Sequence, residues 1–477
     1  MPARLVRGVA VLGLATIVVF IASIASPSSH GDVPPPAKGC PANGWEENLP
    51  NYLKPDAKFP TEDTPLNAQD CQFHQWSWEA FVWATALDSK GVPRFMTLPT
   101  PEDLLSKDPK AGELGHRGLK LAARSLIPNG APGHVEGAGA IVEADGNMLV
   151  AQNGYPVYAS VHMNLSYFNT AKKNLIVTGG YTSQPVDSTF DVGAAVFKAT
   201  WLRLDAGQAP PTGAFTTEAE VPVLTVLRTK TQITITPVPG KFTKVTVALV
   251  GLHVVGHTIN HPEFLWGTFE HNLNSPRVPD NTYPGPGVSK NNYTFYAANT
   301  AFAKANIALN PPTLKFDIGS QKFSPPTNVV LQNQTGGEDL ANGPGNIFAI
   351  NDQGHSALKN IKGPQSTFAN YDLIGTVWMK PGTFTANSDQ TNAVGSVSLA
   401  NSTAETFVQG TKNAPISQVQ NCFMCHNGGS YSFQNPPPPK LVNRRVAISH
   451  VLAVGSQYAV PNSISGTIGT VGAPAPK

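Results

Sequence analysis

The chain has 477 residues, enough to form a large hydrophobic core in one domain or in two to three smaller ones. Only 13% of its residues are charged, the formal net charge is +2, and no basic stripe runs through its aromatic segments, which argues against nucleic acid as a partner. The 43 glycines and 43 prolines predict many turns and few long helices.

Residues 1–25 are predicted to be a signal peptide. Arg4 and Arg7 precede the apolar run from Gly8 to Ala22, and small residues follow at a suitable cleavage site. The run is slightly shorter than the roughly 20 residues of a membrane-spanning helix. The alternative is an uncleaved anchor, the only case in which the protein would contact a membrane. Either interpretation predicts a periplasmic or otherwise exported protein, with residues 26–39 as a Pro/Ser-rich tether.

The next segment contains two cysteines and an aromatic helix. In an oxidising compartment Cys40 and Cys71 are expected to form a disulfide, closing a loop of about 30 residues and contributing roughly 3 kcal/mol to stability. Free thiols are the alternative. After Cys71, apolar residues at helical spacing, among them Phe73, Trp76 and Trp83, predict a helix. Its aromatic face is expected to pack against a sheet, with a wall beside a cofactor as the alternative.

Residues 40–395 are predicted to form a mainly β body, an antiparallel sandwich with long loops and few short helices. Alternating apolar residues recur in "AAVFKATWLRL", "VPVLTVL", "TQITIT" and "FTKVTVALVGLHVV". Asp145-Gly146 indicates a hairpin turn, and the Asn-, Pro- and Gly-rich residues 272–370 predict long loops. Residues 396–477 are predicted to form a separate C-terminal c-type haem segment, in which Ser402 and Glu405 have capping-box spacing and predict a short helix.

The strongest chemical motif lies in this C-terminal segment. Cys422, Cys425 and His426, in "CFMCH", fit C-x-x-C-H, the attachment signature of c-type haem. Two thiols one helical turn apart can form thioethers with the two porphyrin vinyl groups, and the following histidine can bind the iron. The motif therefore predicts one covalent haem c with His426 as the proximal ligand. A redox disulfide and half of a zinc site are the alternatives.

The other axial position of the iron has several candidates. No methionine follows His426 in the sequence, so the sixth ligand is predicted to be a histidine, an upstream residue, or absent. His450 is the sole downstream histidine and a candidate distal ligand, with an ordinary packed histidine as the alternative.

A second concentration of chemistry is "GLHVVGHTINHPEFLWGTFEHNLN", which contains four of the 12 histidines. His253 and His257 are four residues apart and share a face in either a strand or a helix. His261 and His271 follow. These residues are candidate distal haem ligands, proton-transfer groups or ligands of a separate metal, with His253 and His271 favoured. The alternative is a set of histidines at the rim of a sheet, bonded to loop carbonyls.

Three blocks of the sequence resemble a group of bacterial proteins described as cytochrome c family proteins. The blocks are "VFKATWLRL", "GLHVVGHT…WGTFEHNLNSP" and "LANSTAETFVQ…NCFMCH", within roughly residues 70–455. The most specific parts are Thr268 to Asn274 and the C-x-x-C-H block. The resemblance implies an exported protein with one covalent haem, attached at Cys422 and Cys425 and ligated by His426. It assigns no reaction and no role to His271.

These observations lead to three functional hypotheses. The first is a periplasmic monohaem c-type protein, active in electron transfer or as a haem-dependent oxidoreductase. Its body is larger than electron transfer alone requires, but the sequence identifies neither a redox partner protein nor a small-molecule substrate. The second is an exported β-sandwich binding protein with a structural C-x-x-C. The third is a non-haem metalloenzyme that uses the histidines between His253 and His271.

Overall fold

A computed structural model describes residues 39–61, 70–105, 118–123, 148–173, 184–228, 233–278, 283–309, 313–333, 345–409, 416–419, 421–428, 442–449 and 466–468. The predicted signal peptide, all but the last residue of the tether, the Asp145-Gly146 hairpin and His450 lie outside these residues. Among the described residues, no helix combines the length and the apolar character needed to cross a membrane.

The fold is built mainly from antiparallel strands. They are β1 (Ala122–Ala123), β2 (Tyr158–Met163), β3 (Ala195–Arg203), β4 (Thr216–Arg228), β5 (Ile233–Thr258), β6 (His261–His271), β7 (Lys315–Asp317), β8 (Lys322–Ser324), β9 (Tyr371–Met379), β10 (Ala393–Gly395) and β11 (Gly466–Ile468). In the described part of the chain they form a nine-stranded sheet and a two-stranded ribbon, β7 with β8.

The helices of the described residues are mostly short. The α-helices are α1 (Leu49–Tyr52), α2 (Asp70–Thr85), α3 (Pro101–Leu105), α4 (Leu165–Lys172), α5 (Gly345–Lys359) and α6 (Cys422–Cys425). Turns of 3-10 helix occur at Trp45–Asn48, Arg94–Thr97, Phe302–Lys304, Pro364–Asn370, Gln390–Asn392, Ile416–Gln418 and Arg445–Ile448.

The large sheet is organised around β5, a strand of 26 residues. The main strand order is β1-β2-β3-β5-β6-β9-β10, and both β4 and β11 also pair with β5. The first half of β5 pairs with β4, and its second half lies between β3 and β6. All of these strand pairs are antiparallel. β4, β5 and β6 follow one another directly in the chain and pair as neighbours, because antiparallel strands can be joined by short connections.

Helix α2 covers one face of this sheet. The Trp78 ring lies edge-on to Phe269 of β6 with 5.1 Å between ring centroids, and Ser77 Oγ lies 2.6 Å from Thr376 Oγ1 of β9. A Cβ atom added to Gly267 would stand 2.4 Å from Ser77 Oγ, so the missing side chain lets the helix approach the strands closely. The buried aromatic face of α2 thus forms the main hydrophobic core together with the sheet.

The opposite face of the sheet is covered by the C-terminal segment. On β6, Thr268 and Glu270 contact residues 401–402, and Trp266 contacts His426 of the C-x-x-C-H motif. Their neighbours Gly267 and Phe269 contact α2 instead. This is the alternation of side chains expected in a strand, and it places the candidate haem segment and the helical layer on different sides of the sheet.

Several of the sequence predictions are confirmed. The protein is mainly antiparallel β with few short helices. The aromatic helix after Cys71 is α2, and it packs against the sheet as expected. Cys40 and Cys71 form a disulfide with 5.6 Å between their Cα atoms. The sandwich arrangement is not confirmed, because in the described residues a helix, rather than a second large sheet, packs on one face.

Two local predictions are wrong. The region predicted as long loops contains the 15-residue helix α5. Its polar side chains are satisfied by tertiary contacts that the sequence does not reveal, since Asn351 Oδ1 accepts from Trp78 Nε1 at 3.1 Å. The short helix expected from Ser402 and Glu405 does not form, and residues 402–407 are turns and bends. Ser402 donates its backbone N–H and its hydroxyl to Glu270 instead of capping a helix.

Candidate haem-attachment site

The two cysteines of the motif occupy the two ends of helix α6. Asn421 caps this helix, because its Oδ1 accepts from the Phe423 backbone N–H at 2.9 Å. Its amide also donates to the Val397 carbonyl at 2.9 Å, which ties the helix to the preceding segment. The local fold therefore holds Cys422 and Cys425 one helical turn apart, the separation that two thioether links to a porphyrin require.

His426 follows α6 directly, and its Nδ1 atom contacts a backbone carbonyl. Its backbone N–H donates to the Cys422 carbonyl at 2.8 Å, and its Nδ1 lies 3.0 Å from the Ile448 carbonyl oxygen. A carbonyl can only accept, so this contact places the proton on Nδ1. In the neutral imidazole the lone pair is then on Nε2, the tautomer of an iron ligand whose other nitrogen is bonded to a backbone carbonyl.

Trp266 of β6 packs against the His426 ring. The two ring centroids are 4.5 Å apart and the planes are inclined by 36°. Phe423 of α6 approaches the same indole edge-on, with 6.1 Å between centroids. The indole Nε1 donates to the Glu263 carbonyl at 2.9 Å. The motif therefore rests on an aromatic side chain that the sheet positions.

The environment of Cys422 bears on the redox-disulfide alternative. Its side chain packs against a buried apolar cluster. Burial and the nearby Glu405 carboxylate raise the pKa of the Cys422 thiol well above its usual value. Reactive cysteines of disulfide oxidoreductases have lowered thiol pKa values, because the thiolate is the nucleophile. The surroundings of Cys422 favour a neutral thiol and so do not favour that activity.

Residues 401–402 fasten the C-terminal segment to the sheet. The Asn401 amide donates to Thr268 Oγ1 at 2.8 Å, and the Ser402 N–H donates to Glu270 Oε1 at 2.6 Å. All four residues are buried. Burial raises the pKa of the Glu270 carboxyl, although the hydrogen bonds from Ser402 act in the opposite direction. Since buried polar groups must be paired, these contacts specify one position for the segment that leads to α6.

His253, one of the favoured histidines, lies on the same side of the sheet as this segment. Its Nε2 is 3.2 Å from Glu405 Oε1. Burial alone would raise the pKa of Glu405, but the adjacent His253 imidazole and the Lys198 ammonium outweigh it and lower that pKa to about 2. The negative charge of Glu405 in turn contributes to the raised pKa of the Cys422 thiol. A role for His253 as a distal ligand stays a prediction.

His271, the other favoured histidine, is placed differently. It lies five residues from Trp266 along β6, so the alternation of the strand directs it to the face opposite the His426 contact. Its ring packs edge-on to Tyr371 at 5.3 Å, and Nδ1 accepts from the Leu273 backbone N–H at 3.3 Å. Burial lowers the pKa of His271 to about 4, which keeps the ring neutral near pH 7. The structure does not bring this residue to the candidate haem site.

The remaining histidines of this stretch have separate surroundings. The His257 ring lies 5.7 Å from the Phe264 ring, and His261 Nδ1 lies 2.7 Å from Glu263 Oε1. Within the described ranges, no group of three or more His, Cys, Asp or Glu side chains is arranged to hold a metal ion. The four histidines therefore do not converge on one point in this part of the molecule.

Two contacts of the site were not predicted from the sequence. Ile448 and Trp266 lie 22 and 160 residues from His426, and only the tertiary fold brings them together. In the sequence, only the even spacing of Trp266 from Thr268 and Glu270 indicates that these three side chains share one face of a strand.

Comparisons of the chain with protein-family models, with curated proteins and with solved structures give no match.

Proposed function

We propose that the protein is an exported, periplasmic, monohaem c-type cytochrome-like protein that acts in electron transfer or in haem-dependent oxidoreduction. The observation that carries the proposal is the geometry of the motif. Cys422 and Cys425 lie one turn apart on α6, and the next residue, His426, has Nδ1 on the Ile448 carbonyl. The resemblance to cytochrome c family proteins supports the same cofactor.

The residues present fit a covalent haem c. Cys422 and Cys425 would form the two thioethers, and His426 would bind the iron through Nε2, the nitrogen left with its lone pair by the Ile448 contact. When bound, the haem supplies a one-electron Fe(III)/Fe(II) couple. The chain itself orients the imidazole and anchors α6 through buried Phe423, which belongs to an apolar cluster.

The Cys40–Cys71 disulfide supports the proposed location. Disulfides form and persist in oxidising compartments such as the periplasm, and they are rare in the bacterial cytosol. Covalent attachment of haem to C-x-x-C-H also takes place after export. The predicted signal peptide, the disulfide and the haem motif are therefore mutually consistent.

The proposal is tested by producing the full chain in cells with a c-type maturation pathway. We expect a red protein whose haem stays bound during acid–acetone extraction, and a Cys422→Ala/Cys425→Ala variant that loses it. The Cys40→Ala/Cys71→Ala variant is the matched control, because it also removes two thiols but should retain the haem. A colourless wild-type product would contradict the proposal.

A further inference from the structure

The contact between Trp266 and His426 has a consequence for the proposed haem. We infer that Trp266 is a positioning residue that fixes the orientation of the His426 imidazole about its bond to the iron; this inference rests on the proposed function. The indole lies 4.5 Å from the imidazole, centroid to centroid, with the planes 36° apart. The 4.5 Å separation is at the short end of the range for aromatic pairs, so turning the imidazole to a perpendicular orientation would press its edge into the indole, and the indole thereby obstructs rotation of the histidine.

Trp266 is itself held firmly. Its Nε1 donates to the Glu263 carbonyl at 2.9 Å. The Glu263 carboxylate lies 2.7 Å from His261 Nδ1 and accepts from the Met379 backbone N–H at 3.2 Å. The Glu263 and His261 side chains are almost fully buried. The sheet therefore holds the indole in one position, and the indole in turn limits the positions that the His426 ring can take.

The backbone of β6 is irregular just before Trp266. Phe264 has a φ of 65°, the left-handed region that residues with side chains rarely adopt. The register between β5 and β6 also shifts between Gly256 and Thr258, as at a β-bulge. Bulges re-aim the side chains that follow them, and such backbone strain is concentrated at functional sites. The irregular segment includes the residue next to Glu263, whose carbonyl accepts from the Trp266 Nε1–H at the edge of the indole.

The imidazole is restrained at two points. Trp266 packs on the ring, and the Ile448 carbonyl holds Nδ1 at 3.0 Å. Residues behind an iron ligand orient the ligand and tune the metal. The orientation of an axial imidazole sets its overlap with the iron d orbitals, so a change in that orientation alters the electron paramagnetic resonance (EPR) signal and the reduction potential of the haem.

The experiment compares matured, haem-loaded Trp266→Phe, Trp266→Leu and wild-type protein. Fe(III) EPR spectra and midpoint potentials are measured, together with the iron–histidine stretching frequency of the reduced form. Trp266→Leu should broaden the EPR signal, shift the potential and shift the stretching frequency, because the ring that restrains His426 is gone. Trp266→Phe keeps an aromatic ring without the Nε1 hydrogen bond, and should give smaller shifts in the same direction.

Trp378→Leu is the matched control. Trp378 is another mostly buried tryptophan of the sheet, but its indole stacks on Phe73 of α2 at 3.9 Å, in the helical layer. Its loss should leave the three measurements unchanged. If Trp378→Leu gave the same shifts as Trp266→Leu, the effect would reflect general packing and the inference would be overturned.

The outcomes separate this inference from the proposed function. If wild-type protein and both Trp266 variants carry haem with identical spectra and potentials, the inference is overturned and the proposed function stands. If wild-type protein carries no haem, both are overturned. If Trp266→Leu fails to fold, Trp266→Phe decides, since spectra and a potential equal to those of wild type would overturn the inference.

Discussion

Glu405, in the C-terminal segment, forms an ion pair with His253 of the sheet. It pairs with His253 at 3.2 Å and accepts from the Asn401 backbone N–H at 3.0 Å. The neighbouring His253 and Lys198 outweigh burial and lower the pKa of Glu405 to about 2, so the folded protein favours the ionised carboxylate. A group with a lowered pKa in the folded state stabilises the fold above its unfolded-state pKa and loses that contribution as the pH falls.

We therefore expect Glu405→Gln to lower the free energy of unfolding by about 3 kcal/mol near pH 7. The difference from wild type should decrease below about pH 4.5 and vanish near pH 2, where Glu405 itself becomes protonated. Urea unfolding at a series of pH values measures this. Exposed Glu218 provides the control, since Glu218→Gln should change stability by less than about 0.5 kcal/mol. A pH-independent loss in Glu405→Gln would contradict the assignment.

Histidines 426 and 271 are expected to differ in their effect on a bound haem. His426→Gln should change the visible spectrum and the spin state of the matured protein, because it removes the proposed iron ligand. His271→Gln should leave both unchanged, because its ring packs on Tyr371 and points away from the His426 contact. Absorption spectra of the oxidised and reduced variants measure this. Altered iron ligation in His271→Gln would mean that the two residues share the haem.

At the scale of elements, the packing of α2 against α5 depends on a glycine. A Cβ atom added to Gly354 would stand 2.7 Å from atoms of the Trp78 ring. That ring is fully buried, and it is fixed by a hydrogen bond to Asn351 and by contact with Phe269. The two helices can approach each other at this point only because residue 354 has no side chain.

Gly354→Ala tests whether this close approach outweighs helix propensity. Alanine in a helix interior is favoured over glycine by about 1 kcal/mol, whereas overpacking a core costs about 1–3 kcal/mol. Because Trp78 has no room to move, we expect a net destabilisation of about 1 kcal/mol or more in urea unfolding. Gly118→Ala is the control, since no atom of the described residues lies within 4 Å of a Cβ placed there. A more stable Gly354→Ala variant would contradict the close packing.

The elements differ in how far the sequence predicts them. β3 and α2 were predicted because their apolar residues follow the period of a strand and of a helix. α5 was missed because its Asn- and Gly-rich sequence is typical of loops, and its stability comes from contacts with Trp78 and Trp45. The helix predicted from Ser402 was wrong because that side chain bonds Glu270 across the chain.

The same distinction applies to the candidate site. The C-x-x-C-H motif is local, so five consecutive residues were enough to predict the attachment chemistry. The surroundings of His426 were not predictable in this way, because Trp266 and Ile448 reach it through strand pairing and chain folding. Alternation along β6 puts Trp266 and His271 on opposite faces of the sheet. The sequence does not reveal which of these faces is covered by α2 and which by the C-terminal segment.

At the scale of the whole molecule, the Cys40–Cys71 disulfide joins the N-terminal part of the described chain to α2. Cys40 is buried in the main core, and the two cysteines are 31 residues apart in sequence. We expect Cys40→Ala/Cys71→Ala to lower the free energy of unfolding by about 3–4 kcal/mol, mainly because the unfolded chain is no longer constrained. Urea unfolding measures this, with reduced wild-type protein as the control. Equal stability of the oxidised protein and the variant would contradict a stabilising disulfide.

The proposed function requires one haem linked covalently to Cys422 and Cys425. The most direct test is the intact mass of the full chain matured in cells that carry out c-type haem attachment, followed by mapping of the peptide that contains α6. We predict a mass increase of one haem per chain, located on the peptide with both cysteines and absent from Cys422→Ala/Cys425→Ala. A matured wild-type chain with the mass of the polypeptide alone would show that no haem is attached and would rule out the proposed function.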